Sequence, residues 1–310
     1  MNIPDSRQSG PPRIAGAGIA CLDYIVASPS LNWGDTVHVS GFCTQGGGLV
    51  ATALVACARL GADAILWSLL GDDPMAAAIL EELAAERVAT EHVVKLPDGA
   101  SPFSFIHVEE ASGERTIFHR PGGNLHWAGQ ADLSGISSCA ALLVDHCYPD
   151  LALAAARTAR EHGVPVVADL SPGDAERELL QWVDVLIAPR HFARALGCEQ
   201  DPAPALDAIH ACGPAVAVIT LGADGWVCSD QHGRSLGTAF PVAVVDTVGA
   251  GDVFHGAFAF GLANGWETPR CCEFASAVAA IKCTQSGGRT GIPSLGEAVA
   301  FLRGRGALGW

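Results

Sequence analysis

Val244-Val245-Asp246-Thr247-Val248-Gly249-Ala250-Gly251-Asp252-Val253-Phe254 reads as a strand that passes through a glycine turn into the first turn of a helix. Glycines let the backbone come close to a ligand, the first N–H groups of a helix have no internal partner, and the helix dipole adds partial positive charge at that end. Such a turn is an anion site suited to a phosphoryl group. Asp252 stands in the first helical turn, where its carboxylate can face a hydroxyl aligned with that group and take its proton. Phosphoryl transfer needs little beyond alignment, charge stabilisation and such a base. The plainer reading of Asp252 is a carboxylate that caps a helix.

The rest of the chain restricts what such a turn could serve. With 310 residues, 49% of them hydrophobic, it suits one large core plus a modest insertion. A net charge of −15 from only 18 lysines and arginines excludes a nucleic-acid partner and requires a local device for any anionic ligand. The 11 cysteines show no CxxC pair and no zinc spacing, so free thiols in a reducing cytoplasm are expected. Residues 1–13 are polar and Pro-rich, lack the apolar run of a signal peptide, and read as a loose tail. The longest apolar runs fall short of the roughly 18–20 residues that span a bilayer.

Strands are expected over Ile14–Ala20, Val37–Cys43 and Ala64–Leu69, with a helix opened by Gly46 to Gly48 and another over Pro74–Arg87 capped by Asp72 or Asp73. Short strands continue between Val93 and Phe118. From Ala141, β-branched runs alternate with helical ones at Leu142–Val144, Leu151–His162, Val164–Ala168, Glu176–Trp182, Val185–Ile187, Phe192–Leu196 and Ala215–Thr220. That alternation predicts an α/β fold, a doubly wound, mostly parallel sheet with helices on both faces. A small β-sheet lid, built from about 32–46 and 93–120, is expected to stand apart within a domain over 14–310. Ligands of such sheets sit outside the carboxyl ends of the strands, so the loops after Thr220 and Val245 are the places to search.

Asp246 to Asp252 followed by Phe254 resembles the C-terminal signature of the ribokinase-like, PfkB-type carbohydrate kinases. Gly47-Gly48, Ala51 to Ala53, Ala58-Arg59-Leu60-Gly61 and Gly71-Asp72-Asp73 resemble their N-terminal signature, in the right order and at the right separation. The resemblance implies an ATP-dependent sugar kinase using Mg2+, with Asp252 as base and Gly249, Ala250 and Gly251 as anion hole. It places Asp23, Gly47, Gly48 and Thr52 on the sugar, and Thr220, Gly222 and Gly225 in the nucleotide loop. Ala280, Cys283 and Gly287, with the run on to Arg289, would lie beside adenine. The backbone at Asp246 and Val248 would hold a monovalent cation, K+, and the lid would often make a homodimer contact. Within the family, Phe274 to Pro293 and the Gly46 to Gly48 triplet are most similar to sulfofructose kinases, and Ala111 to Ile117 more distantly to ketohexokinases, which implies a ketose-like substrate.

Departures narrow that reading. Thr52 and Leu49 replace an Asn and a polar residue that hold ribose in many members, and the Asn-x-x-Glu that organises magnesium water has no counterpart at Ala188 to His191. Asp35 stands where the sulfosugar enzymes carry a Lys, and His119 replaces their Asn, so a neutral fructose-like sugar is expected. A nucleoside kinase of the same fold and a sugar-binding regulator with little turnover are the alternatives. Arg115, Arg120 and His146 are further candidates for substrate or lid contacts, and His255 is expected to pack beneath the site.

Overall fold

The computed structural model describes residues 10–31, 34, 36–170, 177–198, 201–307 and 309–310. The first half contains β1 (Arg13–Ala17), β2 (Cys21–Ser28), β3 (Gly41–Gly47), α1 (Leu49–Arg59), β4 (Asp63–Gly71), α2 (Pro74–Ala85), β5 (Val88–Leu96), β6 (Phe103–Glu109) and β7 (Arg115–Arg120). There follow β8 (Ala141–Asp145), α3 (Pro149–Glu161), β9 (Val166–Asp169), α4 (Arg177–Leu180), β10 (Val185–Pro189), α5 (Arg190–Ala195), α6 (Ala203–Ala211) and β11 (Val216–Thr220). The chain ends with β12 (Trp226–Asp230), β13 (Gly233–Gly237), α7 (Ala250–Ala263), α8 (Thr268–Lys282) and α9 (Leu295–Gly304).

Nine strands form one sheet in the order β13-β12-β11-β10-β9-β8-β1-β4-β5, parallel except at the β11-β12-β13 edge. Neighbouring residues of a central strand belong to different cores. Ile14 packs with α1, α7 and α8 on one face, and Ala15 packs with α3, α5 and α6 on the other. This two-sided burial explains why β4 and β8 read as mainly apolar runs, with the buried Ser68 as the interruption in β4. Strand order reverses between β8 and β1, so the sheet opens a crevice there, at the carboxyl ends of its strands. Asp145 closes its base: buried at the end of β8, it accepts from the N–H of Ile19 at 2.8 Å and of Cys147 at 2.9 Å.

A second sheet, β3-β2-β6-β7, stands apart. Its composition corrects the boundaries expected from sequence, 32–46 and 93–120. Cys21–Ser28, for which the sequence predicts no element, is one of its two central strands, and the Val37–Cys43 strand falls instead at Gly41–Gly47. Residues 88–96 belong to the main sheet, where β5 pairs with β4 after the crossover through α2. The hairpin β12-β13 and helix α6 were also unread in the sequence. Of the expected tail, residues 1–9 lie outside the described residues, while Pro12 already accepts from Asp63 N–H at 3.0 Å and Arg13 begins β1. No described helix is long and apolar enough to cross a membrane, and all 11 cysteines are free.

Candidate active site

The decisive segment behaves as read from Gly249 onward, but not before it. Val244 and Val245 form no strand. They run as irregular chain beside the end of α8, where Cys283 C=O accepts from Val245 N–H at 2.8 Å and Asp246 N–H at 3.2 Å. Gly249 caps α7 in the left-handed conformation, φ 73°, and a methyl group there would press on the Gly288 carbonyl at 2.8 Å, so only glycine fits. Ala250 N–H donates to Thr247 C=O and Val253 N–H to Gly249 C=O. The N–H groups of Gly251 and Asp252 have no partner among the described residues, and Gly251 faces open space.

Asp252 is half-buried at this helix start. Burial, and next the carboxylate of Asp169, push its acid form up to about 7, against the opposing pull of His255 and Arg115. Asp169 ends β9, directly beside Asp145 on β8. His255, one turn along α7, packs beneath the site as expected: both ring nitrogens meet carbonyl oxygens, Nδ1 that of Gly251 at 2.8 Å and Nε2 that of Ile187 at 3.1 Å. Its Nδ1 is 3.6 Å from Asp169. Asp169 was missed from the sequence, although a carboxylate that ends a parallel strand at the crevice is the available signal.

The small sheet supplies the opposite wall. Its registers put Gln45, Asp23, Ser104 and His119 in one row across β3, β2, β6 and β7, on the same face. Asp23 is buried, and its acid form is raised by that burial while Cys21 and Ser104 hydrogen bonds lower it. Gly47 lies against Asp23 so closely that a methyl group would overlap the carboxylate, and Gly48 caps α1. Ser104 Oγ pairs with His119 Nδ1 at 3.2 Å, and burial lowers the proton affinity of His119 and keeps it neutral. His146, whose charge also bears on His119, has a buried Nδ1 with no hydrogen-bond partner among the described residues. Asp35 lies outside the described residues. On the same face, Ile25, Ile106 and Val108 pack against Val248 of the glycine turn, and Arg115 donates to Thr247 Oγ1 at 2.8 Å. The sheet is therefore closed onto the turn.

One residue of this wall was misread. Arg289, placed by resemblance beside the nucleotide, sends a fully buried side chain to the other side. Its guanidinium reaches Gly47 C=O at 2.9 Å, Thr52 Oγ1 at 3.2 Å and Glu82 Oε1 at 3.2 Å. Its N–H donates to Gln45 Oε1 at 3.0 Å, and Glu82 accepts from Gly46 N–H.

The expected nucleotide residues fall in two groups. Thr220 ends β11 and pairs with Pro189 at the carboxyl edge, and Gly222 to Gly225 form the turn that follows, pinned by Arg190 donating to Leu221 C=O at 2.7 Å. Ala280 and Cys283 lie at the end of α8, and Gly287 N–H donates to Asp246 Oδ2 at 2.8 Å. Asp246 Oδ1 accepts from Val248 N–H at 2.7 Å, so one buried carboxylate ties the glycine turn to the chain after α8. Among the described residues no three His, Cys, Asp or Glu side chains converge as a metal cage.

Residues 12–295 match the family described as pfkB family carbohydrate kinase. The ribokinase of Haemophilus influenzae is 28% identical over 293 residues, covering 90% of this chain and 95% of that protein. The ribokinase of Schizosaccharomyces pombe is 30% identical over 288 residues, covering 85% and 89%. Among solved structures, one provisionally assigned as a ribokinase from Agrobacterium tumefaciens is similar with a TM-score of 0.89 at 28% identity, over 96% of this chain and 99% of that one.

Proposed function

Because the chain belongs to the pfkB family of carbohydrate kinases, phosphotransferases with an alcohol group as acceptor, we propose that it moves the γ-phosphate of ATP to a hydroxyl of a neutral monosaccharide, with Asp252 as the base. The observation that carries this reading is the half-buried Asp252 beside the unpartnered N–H groups of Gly251 and Asp252, with the Asp23–Ser104–His119 row on the facing sheet. The phosphoryl oxygens dock on the Gly249–Gly251 turn, the acceptor hydroxyl hydrogen-bonds Asp252, and its proton passes to the carboxylate as the oxygen attacks. Gly47, Asp23, His119 and the unpartnered His146 Nδ1 hold the remaining hydroxyls. Asp169, with a side chain 21% exposed at the crevice, is the carboxylate that would hold, through water, a Mg2+ arriving on the nucleotide phosphates, where the ion would offset their charge.

The sugar's charge follows from what surrounds it. His119 is neutral, Asp23 is acidic, and the buried guanidinium of Arg289 is committed to Glu82 and Gly47. Arg115, the cation on this face among the described residues, donates to the Thr247 hydroxyl at the glycine turn, so the Gln45–Asp23–Ser104–His119 row offers an anionic tail no cation of its own, while hydroxyls find acceptors and donors. Fructose-like ketoses and ribose both fit this description, the latter being the substrate named by the ribokinase relatives. Measured by ADP release, neutral ketoses and pentoses are expected to give kcat/KM at least about tenfold above their phosphates or sulfonates. A preference for the anionic sugars would overturn the assignment, and turnover confined to nucleosides would move it to a nucleoside kinase.

The small sheet serves as the lid in this reading, and its outer face supports a homodimer. Phe42, Phe105 and Phe118 share that face by register and are 65%, 41% and 44% exposed. Exposed aromatics on a sheet with two free edges need cover. Light scattering is expected to give twice the 31.9 kDa chain mass at micromolar concentration, and Phe105→Glu to shift it to the monomer. A wild-type monomer would remove this assembly.

A further inference from the structure

The cation expected at Asp246 and Val248 meets an obstacle in the structure. Lys282, the last residue of α8, is fully buried, and its Nζ donates to the Asp246 carbonyl at 3.1 Å. That carbonyl is one of the two backbone oxygens assigned to the ion. Burial works against the ammonium form of Lys282, and the Asp246 carboxylate is the main opposing pull that favours it. The Asp246 carboxylate is buried in the same knot, held by the N–H groups of Val248 and Gly287, so one positive and one negative group are enclosed together. A K+ ion placed on the same oxygen would sit against Lys282 and leave two like charges for one carboxylate. Asp246 to Gly249 lead directly into the phosphate-binding helix start, so a positive group here backs the turn where phosphoryl charge develops.

We propose that Lys282 is a covalently attached substitute for a monovalent cation, so that this kinase holds its glycine turn without K+. The inference rests on the kinase reading for its effect on turnover, but not for the occupancy of the site.

The test compares protein desalted into choline chloride with protein in KCl at equal ionic strength, by ADP release and by thermal melting. For the wild type, both turnover and melting midpoint are expected to be the same in the two salts, within about twofold in rate. Lys282→Ala, or Lys282→Met if the alanine variant does not fold, is expected to lose about tenfold or more in choline and to recover part of that loss in KCl. The same variants are expected to gain a K+-specific rise in melting midpoint, since an ion that binds only the folded state stabilises it. Stimulation of the wild type by K+ of about tenfold or more, or a K+-specific rise in its melting midpoint, would overturn the proposal. Melting needs no acceptor: if no sugar is ever phosphorylated, the kinase reading fails while the substitution still stands or falls on the melts.

Discussion

Asp252→Asn is expected to lower kcat by about 10²–10⁴ while nucleotide and sugar still bind, the range for loss of a general base. The amide keeps the shape and the hydrogen bond to the acceptor hydroxyl but cannot take its proton. Because burial and Asp169 push the Asp252 acid form up to about 7, wild-type turnover should climb as pH rises through that value, and the variant's residual turnover should not follow. Stability should move the other way. An unfolded Asp titrates near 3.8, so between about 3.8 and about 7 the folded chain holds a proton that the unfolded chain has released, and stability falls as pH rises across that window. Asn removes the cost. The variant should therefore melt above the wild type at pH 8, by a margin that shrinks at pH 5. A variant that turns over at near the wild-type rate would take Asp252 out of the mechanism.

The parts of this site that could be read from sequence are the parts built from neighbours in the chain. Gly249 to Asp252 carry their geometry in four consecutive residues, since a left-handed cap followed by a helix start needs no distant partner to be recognised. The alternation from Ala141 to Thr220 gave the parallel sheet for the same reason: each strand is buried on both faces and announces itself locally. The small sheet did not. β3, Gly41-Phe42-Cys43-Thr44-Gln45-Gly46-Gly47, ends in glycines that read as a turn, yet they pair with β2 as strand, and they are glycine because Arg289 crowds one side of it at Gly46 and Asp23 the other at Gly47. β2 is central only by pairing with Phe103–Glu109, far along the chain, and no local pattern records that register. The edge hairpin β12-β13 is polar on its outer strand and lacks the apolar run used to find the others. Arg289 illustrates the same limit in one side chain, because its partners Gly47, Thr52 and Glu82 lie 242, 237 and 207 residues away.

Arg289→Met is the second large effect expected, and it should damage both the fold and the sugar side. The guanidinium is fully buried and joins three elements at once: the end of β3 through Gly47 C=O, α1 through Thr52, and α2 through Glu82. Methionine fills much of the volume but answers none of these groups. It leaves a carbonyl and a hydroxyl without a partner and strips Glu82 of its counter-charge. Breaking a buried pair by removing one partner costs about 3–5 kcal/mol. Glu82 has a side chain 28% exposed and can recover some hydration, which puts the expected loss near the lower bound. For a chain of this size that is a fall in melting midpoint on the order of 10 °C. Pairing the change with Glu82→Gln should return part of it, because the stranded carboxylate is then neutral. The sugar side should report separately. Gly47 lies against Asp23, so loosening its carbonyl lets the Asp23 carboxylate drift from the acceptor, which should raise KM for the sugar more than it lowers kcat. Arg289→Lys should restore little of either, since an ammonium cannot reach three acceptors set in a planar fork. A melt within about 2 °C of the wild type, together with an unchanged KM, would mean that Gly47 and Asp23 are held in place by other contacts and that Arg289 is not what fixes this wall of the site.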